Sequence, residues 1–109
     1  MDGLISGHAR TYDDFKKQLA PQVKPLFEEL RNFCFSLGSN VLEDVRMHRI
    51  VFCKSMTFRY FADIEPHRDL VVVKIRRDRK EPMKEIEARQ HQNLDELKTL
   101  LSDAYSSIH

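Results

Sequence analysis

Arg49-Ile50-Val51-Phe52-Cys53-Lys54, Phe58-Arg59-Tyr60-Phe61-Ala62-Asp63-Ile64 and Leu70-Val71-Val72-Val73-Lys74-Ile75-Arg76 follow one another through the middle of the chain. β-Branched and aromatic residues dominate each run, and these suit a pleated, half-buried surface. In the third run Leu70, Val72 and Lys74 alternate with Val71, Val73 and Ile75, which makes one sheet face apolar and the other partly so. Ser55-Met56-Thr57 and Glu65-Pro66-His67-Arg68-Asp69 read as the turns between them. Upstream, Val41, Val45 and Met47 share one face of an earlier strand that forms a hairpin with the first run. Four strands joined by short links predict an antiparallel meander.

Working outward, Val23, Leu26, Phe27, Leu30, Phe33, Cys34 and Leu37 recur at intervals of three and four, the spacing of one buried helical stripe. Pro25 belongs in that helix's first turn, where no backbone donor is lost. Gly38 is expected to end it in a left-handed conformation. Before it, Thr11 is placed to cap a short helix over Tyr12 to Leu19. Beyond the strands, Arg76-Arg77-Asp78-Arg79-Lys80-Glu81-Pro82 reads as a charged loop and Met83 to Ala88 as one or two helical turns. Arg89-Gln90-His91-Gln92 reads as a loop or an edge strand. Asn93 caps a last helix, with Glu96 completing a capping box and Leu94, Leu97, Leu100, Leu101, Ala104 and Ile108 as its apolar stripe. The fold class expected is α+β, with N-terminal helices, a four-stranded antiparallel meander and a C-terminal helix, the helices covering one sheet face. Residues 1–10 read as a loose terminus and residues 11–109 as one domain, since two cores would each be too small to offset chain entropy at this length of 109 residues.

Hydrophobic residues make up 41% and charged residues 32%, a balance that suits a chain folding in water. The longest aliphatic run, Leu70 to Val73, falls far short of the roughly 20 residues a membrane-spanning helix needs, and the N-terminus has no signal-like pattern. Cys34 and Cys53 lie in apolar surroundings, without metal-knuckle or redox spacing, and read as buried thiols. A single disulfide between them is the alternative. Cytoplasm is the expected compartment. The net charge of +1 is unevenly spread. Lys and Arg number five against seven Asp and Glu up to Val45, ten against four from Arg46 to Lys80, and three against six thereafter. The middle third is basic and both ends are acidic.

The pattern Ile50, Phe52 and Lys54, then Phe61, Ala62, Ile64 and Pro66, then Leu70 and Val72, and finally Asp95, Leu97, Leu101, Ala104 and Tyr105 resembles the domain-of-unknown-function 5655 family, over roughly residues 23–108. Where members of that family carry a glycine-bearing loop, this chain has Arg89-Gln90-His91-Gln92. The resemblance implies a small domain of the kind found C-terminal to other domains, some of them nuclease-like, and also filed under a predicted transport label. It implies no mechanism, because the shared positions are mostly apolar.

Catalytic patterns fail on inspection. A metal-dependent nuclease centre needs an acid and a lysine one residue apart on a strand, but Asp63 and Glu65 are followed by Pro66 and His67. Ser39, Ser55 and Thr57 lack a base and an orienting acid nearby, and three glycines cannot make a phosphate loop. Glu87 and His91, four apart, read as a solvated pair, and His8, His48, His67 and His109 as residues of turns and ends. Neither an enzyme nor a metal or cofactor site is expected.

The basic meander remains. Arg46, Arg49, Lys54, Arg59, Lys74, Arg76, Arg77, Arg79 and Lys80 are candidates to converge on the uncovered sheet face or its edge, with Tyr60 and Phe58 as stacking surfaces for unpaired bases. That pattern suits single-stranded nucleic acid or another phosphate-bearing or acidic partner. Exposed strands also carry such residues simply for solubility and to discourage edge pairing. The second functional class is protein interaction or homodimerisation through the outer sheet face or an edge strand. A small-ligand pocket between helices and sheet is a weaker alternative.

Overall fold

Thr11 Oγ1 accepts the Asp14 N–H at 3.2 Å and starts α1 (Tyr12–Phe15), which tightens into a 3-10 turn over Lys16–Gln18 rather than running on as α-helix to Leu19. This is a computed structural model, and it describes residues 10–55, 59–78 and 80–108. α2 (Lys24–Ser36) carries Pro25 in its first turn and buries Leu26, Phe27, Leu30 and Cys34. Then follow β1 (Val41–Val45), β2 (Ile50–Lys54), β3 (Arg59–Pro66), β4 (Leu70–Ile75), β5 (Lys84–Arg89) and α3 (Asp95–Ser107). The expected α+β class holds, with five antiparallel strands among the described residues in place of four, in chain order β1-β2-β3-β4-β5.

The additional strand is β5, in the segment read as helical turns. Lys, Glu, Ala and Arg favour helix locally, and only Ile86 and Ala88 mark a period of two. The neighbouring strand overrides that preference, because β4 would otherwise leave a row of backbone groups unpaired. β5 pairs from Leu70↔Arg89 to Ile75↔Lys84, setting Ile86 opposite Val73 and Ala88 opposite Val71. Glu87 and His91 therefore share no helix face: Glu87 is on the strand, and His91 sits in the following turn at φ 63°. Glu65 and Pro66, read as turn, extend β3, and Met47 lies exposed in the β1–β2 connection instead of on the first strand's inner face.

Ile50, Phe52, Phe61, Ala62, Ile64, Val71, Val73, Ile75 and Ala88 join Val23, Phe27, Leu30, Cys34, Leu97 and Leu101 in one apolar cluster between the sheet and the helices. Phe27, Phe52 and Phe61 are fully buried, each contributing on the order of 1.5–3 kcal/mol. The ordinary alternation breaks once. Phe52 pairs with Ala62 but Cys53 with Tyr60, so Phe61 is the extra residue of a β-bulge. Both Phe61 and Ala62 can then face the core, and Tyr60 is turned to the opposite face.

Gly38 does not take the left-handed conformation expected of it, since no glycine among the described residues has positive φ. Its role is steric: a Cβ there would lie 2.9 Å from Tyr105 Cζ and against the hydroxyl. The N-cap position of α3 falls to Leu94, which makes no side-chain cap bond, and not to Asn93 with Glu96 as expected. Asn93 Oδ1 instead accepts the Asp95 N–H at 2.8 Å just before the helix, and Asp95 and Glu96 place negative charge in its first turn, where the helix dipole favours it. No helix among the described residues is long and apolar enough to cross a membrane.

Candidate nucleic-acid interface

The strand register divides the ten sequence candidates into groups. Lys54 pairs with Arg59, Ala62 with Ile75 and Ile75 with Lys84, so the end of β2, the start of β3, the end of β4 and the start of β5 meet at one end of the sheet. Lys54, Arg59, Tyr60, Arg76 and Arg77 stand at that end, with Lys80 in the β4–β5 connection. Arg46 and Arg49 flank the β1–β2 turn at the other end, and Lys74 lies between. Arg79 and Phe58 lie outside the described residues.

The cations nearer the far end are matched by acids. Arg46 Nη2 lies 3.0 Å from Asp44 Oδ2, and Arg49 Nε lies 3.5 Å from Asp63 Oδ2. Lys74 stands directly across from Asp63 on one side and Glu85 on the other. Across β3, β4 and β5 the outer sheet face thus alternates in charge, from Asp63 through Lys74 to Glu85. Asp63 is buried within it, its Oδ1 has no hydrogen-bond partner among the described residues, and burial raises its carboxyl above the ordinary value despite Arg49 and Lys74.

Lys54 leaves the candidate surface. Its ammonium turns to the helix side, donates to the Ile108 carbonyl at 2.5 Å and sits 4.2 Å from the Tyr105 ring. Arg59, directly opposite it in register, shares that face.

What remains is a basic end. Arg76 Nη1 donates to Tyr60 Oη at 2.7 Å, and its guanidinium lies 5.3 Å from the Tyr60 ring centre. The bulge at Phe61 makes this pair, because without it Tyr60 would point at the helices. Among the described residues Arg77, Lys80 and Lys84 form no ion pair. Of the two acids in the connection, Asp78 accepts the Lys80 N–H at 3.1 Å and so serves the turn. Lys84 was missed from the sequence because its segment read as helix; the only signal for its position is the weak alternation of Ile86 and Ala88. Beside the pair, a groove of about 510 Å³ opens between the β4–β5 connection and α3, lined by Ile75, Arg77, Glu81, Pro82, Met83, Lys84 and Leu100. Met83 links the two features, its Sδ standing 4.0 Å from Tyr60 Oη.

No family model, curated protein or solved structure matches this chain. The resemblance to the domain-of-unknown-function 5655 family rests on the residues quoted for it.

Sequence reading also missed a clamp at the other side of the molecule. Arg31 reaches Glu43 through both Nε, at 2.5 Å, and Nη2, at 3.0 Å, and lies 3.8 Å above the Tyr12 ring. Tyr12 Oη donates to Glu28 Oε2 at 2.9 Å, and burial with that carboxylate raises the phenol's pKa. These groups satisfy one another and tie α1 and α2 to β1. The two cysteines are free thiols. Cys34 is buried, which pushes its thiol up to about 12, and Cys53 is only half-buried, on the outer face, against the expectation that both are enclosed. His67 Nε2 lies 3.3 Å from Glu65, and no three metal-ligating side chains converge among the described residues.

Proposed function

We propose that this domain is a non-catalytic binding module that holds single-stranded nucleic acid at the basic end of its sheet. The observation that carries the reading is the Arg76–Tyr60 pair at an end of the sheet where, among the described residues, Arg77, Lys80 and Lys84 form no ion pair, while Arg46, Arg49 and Lys74 stand against Asp44, Asp63 and Glu85. Phosphates gain from cations that are not already paired, and an unpaired base gains from stacking on a ring or a guanidinium plane. The Arg76–Tyr60 pair offers both in one place.

The test is fluorescence anisotropy with short single-stranded RNA and DNA over a series of salt concentrations. The log–log slope should be roughly −0.7 per phosphate contacted. Arg76→Glu with Arg77→Glu should weaken binding at least about tenfold, whereas Arg46→Glu should change it by less than about threefold, and melting temperatures should stay close to the parent's because exposed charges contribute little to stability. Equal loss at both ends would refute localisation at the basic end. No binding at about 100 μM protein in low salt would refute the nucleic-acid reading and favour a protein partner on the sheet face.

A further inference from the structure

The groove beside Tyr60 has a composition that the phosphate-binding role alone does not require. Ile75, Pro82, Met83 and Leu100 give it an apolar floor and wall, Arg77 and Lys84 stand on its rim, and a single carboxylate, Glu81, lines it. Its volume of about 510 Å³ falls within the roughly 300–1,000 Å³ typical of small-molecule clefts. Met83 is 37% exposed, so a large apolar surface is open to an incoming planar group. Cations on the rim suit the phosphates on either side of such a group. A carboxylate among them is unfavourable for a surface meant only for polyanions, whereas it is an acceptor matched to a ligand that brings N–H donors.

We infer that this groove takes one unpaired base of the bound strand and selects bases whose Watson–Crick edge presents N–H donors to Glu81. The inference rests on the nucleic-acid reading and names the specificity of the same site. Guanine offers two parallel donors, N1–H and the exocyclic amino group, which match the two oxygens of a carboxylate. Cytosine and adenine offer their amino groups. Uracil and thymine place carbonyl oxygens on both sides of their one N–H, and these oxygens repel a carboxylate. The expected order is guanine first, then cytosine and adenine, with uracil and thymine last. The methylene stem of Met83 and the ring of Pro82 pack against the base plane, and Arg77 and Lys84 hold the flanking phosphates.

The experiment compares oligouridine with oligouridine carrying one central guanosine, by anisotropy at fixed salt, for the parent and for Glu81→Gln. Glu81 is exposed and outside the core, so the variant should melt with the parent. The guanosine-bearing strand should bind the parent roughly tenfold more tightly, the discrimination one good bidentate contact supplies. Glu81→Gln should cut that preference to less than about threefold, by weakening the guanosine-bearing strand and by relieving the carboxylate's repulsion of uracil so that oligouridine binds more tightly. If both strands bind equally, with normal salt dependence, the groove assignment is wrong and the basic platform stands. If the preference survives Glu81→Gln, Glu81 is not the selecting group. If neither strand binds, or only a glutamate-rich peptide binds, the platform and the groove fail together.

Discussion

Gly38 lies against the ring of Tyr105, so closely that there is no room between them for even one methyl group. The ring cannot retreat, because its hydroxyl donates to Asn40 Oδ1, its edge meets Phe61 with ring centres 5.4 Å apart, and Lys54 Nζ sits 4.2 Å from its centre. The end of α2 and the last turns of α3 are thereby held in one arrangement. Gly38→Ala should destabilise the protein by about 1–3 kcal/mol, the usual cost of overpacking. Urea unfolding of Gly38→Ala, Tyr105→Phe and the double variant checks this. Removing the hydroxyl should recover part of the loss, so the two changes should be non-additive.

Asp63 gives a pH dependence whose direction can be worked out. Burial raises its carboxyl pKa in the folded protein, so the folded state holds the proton over a range in which the unfolded chain has released it. The penalty is absent below the ordinary value of 3.8, grows as pH rises through the folded value, and is complete above it. Asp63→Asn should therefore raise the melting temperature at pH 7, and its advantage should shrink toward zero as pH is lowered to about 3.8. A variant less stable than the parent at pH 7 would mean that the ion pair with Arg49 outweighs the burial cost.

His91 occupies the left-handed region at φ 63°, where a side chain strains against its own backbone. His91→Gly should stabilise the domain by about 1 kcal/mol, because glycine adopts that conformation freely. His91→Ala keeps the strain and should bring no gain. Paired denaturant titrations of the two variants separate relief of strain from loss of the imidazole.

The thiols should differ in reactivity. Cys34 is fully enclosed, with its pKa pushed up to about 12, and Cys53 is half-buried on the outer face. Only the thiolate reacts, so an aromatic disulfide reagent at pH 8 should label Cys53 slowly and Cys34 only as fast as the protein unfolds. Labelling of both at equal rates in native protein would contradict the packing of α2.

Much of the fold was legible because it follows from apolar spacing. The stripe from Val23 to Cys34 and the alternation from Leu70 to Ile75 each admit a single element type, and both were placed within a residue or two. β5 was illegible, because Lys84, Glu85, Glu87 and Arg89 favour helix and the decisive influence is the open edge of β4. The candidate site was half legible. The excess of cations between Arg46 and Lys80 is plain in the sequence, but the acids that match Arg46, Arg49 and Lys74 lie on neighbouring strands and depend on register. The facing of Tyr60 depends on a bulge that no local residue announces, and Lys54 is withdrawn by the Ile108 carbonyl at the end of α3, 54 positions away in the chain.

Strand order that equals chain order also bears on how the molecule assembles. Each hairpin closes over a short connection, and the loop-closure cost of the sheet is paid in small instalments. The long-range closures are those of α3, through Lys98 to Glu29, Tyr105 to Asn40 and the Ile108 carbonyl to Lys54. The meander can form its hairpins early and α2 can cover part of its core side, with the rest open to water until α3 lands on it. The landing of this helix completes the core that α2 and the sheet begin. Truncating Leu101 at its centre would act mainly on the rate of unfolding, whereas truncating Phe52 or Ile64 in the sheet would slow folding itself.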